Sequence, residues 1–242
     1  MTVAWNPGRV YFRCSSASRP WVRDAWCGLL DAGTMSAMTI SDPKADLLDY
    51  LQGARGAMLW KLDGLTEYDA RRPLTPTGTN LLGLVKHLAR GEFGYFGETF
   101  GRPSDAVARW PEGEQAWEPW ALPTESRESI IGLYRQAWAH ADATIEALPL
   151  DAVGRVPWWG DGGEVTLHQI LVHVTAETQR HAGHADIIRE LIDGAVGLLS
   201  TSTNVPPSDA ATWAAHRDMV ERNAQEAARQ RPGSTLSPAT TT

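Results

Sequence analysis

The sequence predicts an all-α protein, an antiparallel four-helix bundle with an additional C-terminal helix. Three observations carry that prediction. Four long segments repeat their apolar side chains at intervals of three and four residues, the period of a helix that buries one face. Each segment opens behind a capping residue or a proline, and turn-forming residues separate the segments. No segment alternates apolar and polar side chains with conviction, as a half-buried strand would. Helices with apolar stripes must bury them against one another, and a bundle does so. Hydrophobic residues make up 43% of the 242, enough apolar mass for a proper core.

Residues 1–38 mix Pro, Gly, Ser and scattered Trp without a sustained period. They read as a poorly structured N-terminal arm. Met35 and Met38 stand just before the periodic text, so the arm is either real and mobile or upstream sequence from an overcalled start. The bundle domain is expected over residues 39–230. Ser41-Asp42-Pro43 opens a first helix, residues 43–65, with a stripe of Leu47, Leu48, Leu51, Ala54, Met58 and Leu62. A loop with Pro73, Pro76 and Gly78 precedes Thr79 and Asn80, which cap a second helix running to Thr99. Its stripe is Leu81, Leu84, Val85, Leu88 and Phe96, with His87 in the middle. Residues 101–123 are rich in Pro, Gly, Trp and acidic residues and read as an ordered excursion. A third helix over 125–147 carries Ile130, Leu133, Tyr134, Ala137, Ala141 and Ile145. The loop Pro157-Trp158-Trp159-Gly160-Asp161-Gly162-Gly163 leads to a fourth helix from Val165 or Thr166 to Ile192, which Asp193-Gly194 ends. A more polar fifth helix follows over 209–229, with Trp213, Met219 and Val220 as its docking residues. The tail, 231–242, is Pro, Ser and Thr and reads as disordered.

Composition excludes several functions. The net charge is −7, the acidic residues are spread along the chain, and no stripe of Lys or Arg exists to follow a phosphate backbone or an anionic membrane. No stretch reaches the roughly 18 apolar residues of a membrane helix, and no continuous apolar segment follows Arg9, Arg13, Arg19 and Arg23 as in a signal peptide. The two cysteines, Cys14 and Cys27, do not make a disulfide framework. A cytoplasmic protein acting on a small molecule is expected. The eleven tryptophans include several beside Pro or Gly, such as Trp158 and Trp159. They read either as packing anchors of loops or as an aromatic rim around a pocket.

Four of the seven histidines fall on the fourth helix: His168, His173, His181 and His184. At about 100° per residue, His173, Glu177, His181 and His184 lie at roughly 0, 40, 80 and 20 degrees, one face, and His168 points away. Ile170, Val174, Ile188 and Leu191 lie at or near the edges of that face, so it reads as inward-facing. Imidazoles and a carboxylate buried without partners are costly, and a metal ion takes their lone pairs. An i,i+4 pair can supply two adjacent ligands, but one helix rarely closes a shell. His87, the interior histidine of the second helix, is the natural donor from across the bundle. A satisfied core histidine and a buried hydrogen-bond network are the plainer readings of the same residues. Spacing alone leaves the choice among His173, Glu177, His181 and His184 open. His140 and His216 read as surface residues, and Asp186, Arg189 and Glu190 as helix-surface ion pairs.

The segments Leu81-Leu82-Gly83-Leu84-Val85-Lys86-His87-Leu88 and His173 through Asp186 resemble the DinB-like superfamily. More narrowly, they are similar to its actinobacterial mini-circle protein branch. Val156-Pro157-Trp158-Trp159-Gly160 and Glu164-Val165-Thr166-Leu167 share that likeness, which covers residues 39–228. The resemblance implies a four-helix bundle that holds a divalent metal through His87, Glu177 and His181, with zinc favoured and nickel next. Glu177 stands where many members have histidine, a replacement also familiar from the related mycothiol-dependent maleylpyruvate isomerase. Position 184, often Gln in other branches, is His184, a fourth ligand or a hydrogen-bond donor to substrate. The resemblance also implies homodimers, and its relatives include transferases that use mycothiol or bacillithiol. The expected function is a metal-dependent thiol S-transferase acting on small electrophiles, with a low-molecular-weight thiol as cosubstrate and His184 or His173 orienting or deprotonating it. A metal-dependent hydrolase and a non-catalytic metal-binding dimer are the alternatives; an open coordination position separates the enzymes from the binding protein.

Overall fold

A computed structural model of the chain describes residues 42–106, 121–203 and 205–230. Its helices are α1 (Pro43–Trp60), α2 (Glu67–Arg71), α3 (Leu81–Glu92), α4 (Arg127–Ala147), α5 (Leu167–Asp193) and α6 (Ala210–Gln230). The bundle consists of α1, α3, α4 and α5, with α1 packed on α5, α3 on α4, and α3 also against α5. The predicted fold class is the observed one. The expected arm over residues 1–38 and the tail over 231–242 lie outside the described residues, as does most of the excursion, 107–120. No helix among the described residues is long and apolar enough to cross a membrane.

Local chemistry sets the helix starts. The Asp42 carboxylate accepts from the Lys44 amide with Pro43 in the first turn, Asn80 accepts from Gly83, and Ser126 accepts from Ser129. At α5, Thr166 and Gln169 form a reciprocal capping box. Gly194, at φ 81°, ends the helix in the left-handed conformation.

Two apolar clusters fill the bundle. One gathers Met58, Leu82, Val85, Phe93, Tyr134 and Ile188. The other gathers Leu51, Phe96, Ile145, Leu167, Ile170 and Val174. The fully buried Arg55 of α1 donates from Nε to Glu92 of α3 at 2.9 Å and from Nη1 to Asp142 of α4 at 2.7 Å, so one cation ties three helices.

Several expectations need correction. The first helix stops at Trp60, not near 65. The carbonyls of Lys61 and Asp63 just beyond it accept from the buried Arg189 of α5, at 2.8 and 2.9 Å. The second helix is regular only to Glu92, after which Phe93–Gly97 form a π turn and Glu98–Phe100 a 3₁₀ turn. A two-stranded antiparallel hairpin, β1 (Val153–Arg155) with β2 (Glu164–Thr166), stands where no strand was expected. Three residues are too few to show an alternating pattern. Trp213, Met219 and Val220 do not dock: all three are exposed, and α6 buries none of its described residues.

Candidate metal centre

The site forms where α3 faces α5. Asn80 caps α3 and fixes its start, and His87 follows about two turns later. The capping box at Thr166 does the same for α5, which carries Glu177 and His181 one turn apart. Thr178, beside Glu177, is buried and bonds back to the Val174 carbonyl, while Ala182, beside His181, packs into the core. These neighbours hold the α5 backbone against the bundle and turn Glu177 and His181 toward α3.

His181 Nε2 lies 2.8 Å from Glu177 Oε1, and His87 Nε2 lies 3.5 Å from the same oxygen. The His87 and His181 rings meet edge to face with centroids 4.9 Å apart. One donor atom from each of the three residues lies within 4.8 Å of the others, and no other group of His, Cys, Asp or Glu does this among the described residues. Two bonds of about 2.0–2.1 Å at a tetrahedral angle separate their donors by roughly 3.3 Å. The separations of 2.8 and 3.5 Å bracket that value. The side chains are 37%, 30% and 14% exposed for His87, Glu177 and His181, so the cluster opens to solvent on the α3 side.

Electrostatics favours the ligand forms. Partial burial works to raise the Glu177 carboxyl, but the contacts from His181 and then His87 outweigh it and leave its pKa below the ordinary value. Burial is the largest influence on His181 and lowers its pKa; Glu177 opposes this, and the neighbouring His87 and His184 reinforce it. The group is therefore an ionised carboxylate beside a histidine biased to the neutral state, and a divalent cation needs that donor set.

The two remaining histidines of the predicted face separate from the cluster. His173 turns to Tyr95 and Trp159, with ring centroids at 4.8 and 4.9 Å. His184 is exposed, and its Nδ1 lies 3.4 Å from His181 Nδ1, on the side of that ring away from Glu177. The expectation that the whole face is inward needs correction: Ile170, Val174 and Ile188 are buried, but Leu191 and His184 are exposed and His173 and His181 are half-buried. His87 likewise is half-buried rather than in the interior.

His216 is exposed, as expected, but His140 is half-buried, with Nε2 2.7 Å from the Arg102 carbonyl. Asp186 and Arg189 are not surface pairs. Asp186 meets the buried Lys61, just beyond α1, at 2.8 Å, and Arg189 is itself buried. Tyr95 was not singled out by sequence; the alternation of glycine and aromatic residues in Phe93-Gly94-Tyr95-Phe96-Gly97 was the available signal.

The sequence pattern of the mycothiol S-transferase family matches residues 46–194, which contain α1 from its first turn through the end of α5 and all three clustered residues. No curated protein matches the chain. The match spans well over half of the sequence and ends where the bundle ends. The chain belongs to the mycothiol S-transferase family.

Proposed function

We propose that this protein is a metal-dependent S-transferase that joins mycothiol to a small electrophile. The observation that carries the reading is the convergence of His87, Glu177 and His181 at a partly solvent-exposed point between α3 and α5, in a chain of this family. The donors fit a divalent ion, zinc first and nickel second: two imidazoles and one carboxylate leave coordination positions free. Such an ion, when bound, supplies the positive charge that lowers the pKa of a thiol. In this reading the nucleophilic sulfur is that of the cosubstrate; no cysteine occurs among the described residues.

The protein's own groups hold and orient. His181 can present a lone pair at Nε2 only if its proton sits on Nδ1, and that proton then points at His184 Nδ1. His184 is thereby a positioning residue that fixes the His181 tautomer, and its own Nε2–H is left to donate to a substrate. His173 lies one turn from Glu177, against Tyr95 and Trp159. In the transfer, the thiol gives up its proton to water at the open side. The sulfur electron pair forms the new S–C bond, and the leaving group departs with the electrons of the bond it breaks. A homodimer, implied by the family resemblance, completes the reading.

The test combines metal analysis of the purified protein with mycothiol consumption across a panel of electrophiles, before and after chelation. One ion per chain and turnover that chelation abolishes and zinc or nickel restores are expected. Full metal loading without thiol consumption on any electrophile would overturn the transferase reading in favour of a binding protein.

A further inference from the structure

Beside the three donors stands a second feature that metal binding does not use. Tyr95, Trp158, Trp159 and His173 form one ring cluster, with Tyr95 5.2 Å from Trp158, 5.8 Å from Trp159 and 4.8 Å from His173. Yet Trp158 is 49% and Trp159 36% exposed, a large apolar area to leave in water. The backbone is shaped to hold them there. A Cβ on Gly94 would sit 2.7 Å from the Trp158 ring, so the indole lies directly on the π turn after α3. Gly160, between the tryptophans and β2, turns at φ +60°, and a Cβ on Gly163 would meet the Val156 carbonyl oxygen at 2.5 Å. The exposed rings are thus fixed rather than loosely draped.

The shape and chemistry of the cluster select an occupant. Tyr95 meets Trp158, Trp159 and His173, and Trp159 meets His173, at 62° to 78°, so each of these contacts is edge to face and none is a parallel stack. The rings form a corner that offers faces in different directions. None of the four side chains makes a hydrogen bond among the described residues, which leaves two indole N–H groups, a phenol and an imidazole for a ligand. No charged side chain belongs to the cluster. Apolar faces bordered by neutral hydrogen-bonding tips suit a puckered, uncharged, polyhydroxylated ring, whose C–H groups meet the faces while its hydroxyls meet the tips.

We propose that Tyr95, Trp158, Trp159 and His173 form the subsite that seats the sugar–cyclitol portion of the thiol cosubstrate. This rests on the reading of the cosubstrate as mycothiol, in which an acylated cysteine is amide-linked to an amino sugar. Placement supports it. His173 precedes Glu177 by four residues, about 6 Å along the helix axis. Five covalent bonds separate a cysteine sulfur from an amino-sugar ring linked through the cysteine carboxyl, a reach on the order of 6 Å. A thiol at the donor cluster therefore brings its sugar to the rings.

The experiment is calorimetric titration of the full-length protein with the N-acetylated glucosaminyl-inositol half of mycothiol, which has no thiol and keeps the amino-sugar nitrogen as an uncharged amide. Saturable binding is expected for wild type, at least tenfold weaker in Trp159→Ala and in Trp158→Ala and unchanged in Glu177→Gln. Near-UV and far-UV circular dichroism identify any variant that fails to fold, and Trp159→Leu then serves in its place. Absence of binding to wild type, or equal binding to wild type and the tryptophan variants, would overturn the subsite. Binding that follows the expected pattern in a protein that consumes no mycothiol would leave the subsite standing and remove the transferase reading. Kinetics give a second readout where turnover exists. The KM for mycothiol should rise about tenfold in Trp159→Ala while that for N-acetylcysteine, which lacks the sugar, stays constant. A rise confined to the electrophile KM would reassign the rings to the electrophile.

Discussion

Glu177 is the residue on which the centre turns, because one of its oxygens faces both imidazoles, at 2.8 and 3.5 Å. It is the only anionic member of the cluster, so Glu177→Gln removes the charge while keeping the size. Metal affinity should fall by at least tenfold, on the order of 1.4 kcal/mol. Glu177→His should keep the ion, since a third imidazole is an acceptable donor. Metal stoichiometry after dialysis against a graded chelator distinguishes the two, and unchanged metal content in Glu177→Ala would remove Glu177 from the shell. His184→Ala should lower affinity less, because it deletes only the acceptor that orients His181. Much of this was legible in the sequence. The four-residue step from Glu177 to His181 is a local property of any helix, and His87 stood out as a histidine inside an apolar stripe. The parting of His173 from the other two was not legible. It depends on Tyr95 and Trp159 reaching that ring from other segments, a tertiary event that helical angles do not contain.

Among elements, the π turn that follows α3 and the hairpin that precedes α5 act together. Gly94 makes room for Trp158, and β1 and β2 close the loop that carries both tryptophans. Gly94→Ala should push Trp158 off the turn and cost about 1–3 kcal/mol, the usual penalty of overpacking a tight contact. Urea denaturation measures the loss, and a changed near-UV circular dichroism spectrum should accompany it. Thr166→Ala removes the side-chain cap of α5 and should cost about 1 kcal/mol without altering the near-UV spectrum. A Gly94→Ala variant as stable as wild type, with an unaltered spectrum, would show that the indole is not seated on the turn. Helix starts were legible because caps and prolines are local signals, as at Asp42-Pro43, Asn80 and Thr166. The hairpin and the π turn were not. Three-residue strands carry no period, and one widened turn keeps the apolar stripe of α3 running from Leu88 to Phe96.

Three of the four bundle helices, α1, α3 and α4, are joined by a buried polar knot to which each contributes. Arg55 is wholly buried and faces two carboxylates, Glu92 and Asp142. Burial works against the guanidinium charge, but the two carboxylates outweigh it and leave the Arg55 pKa above its ordinary value. Glu92 experiences the opposite balance. Burial is its largest influence; Arg55 offsets part of it, Asp142 adds repulsion, and the carboxyl is pushed up to about 7. Its ordinary value is 4.5, so between these limits the folded chain holds a proton that the unfolded chain has released. Stability linked to Glu92 is therefore fully present below pH 4.5 and declines as pH rises to about 7, with little further change above. The full decline is on the order of 3 kcal/mol. Other carboxylates shift downward, Glu67 and Asp193 among them, and they add stability as pH rises from the acid side. The raw profile mixes both signs, and the informative quantity is the difference between wild type and Glu92→Gln. The amide cannot ionise but can still accept from Arg55. Urea midpoints at pH 5, 6, 7 and 8 should show the wild type losing ground to the variant across this range, with the gap levelling above pH 7. A gap that is constant from pH 5 to 8 would mean that Glu92 is ionised throughout and that Arg55 alone governs the knot.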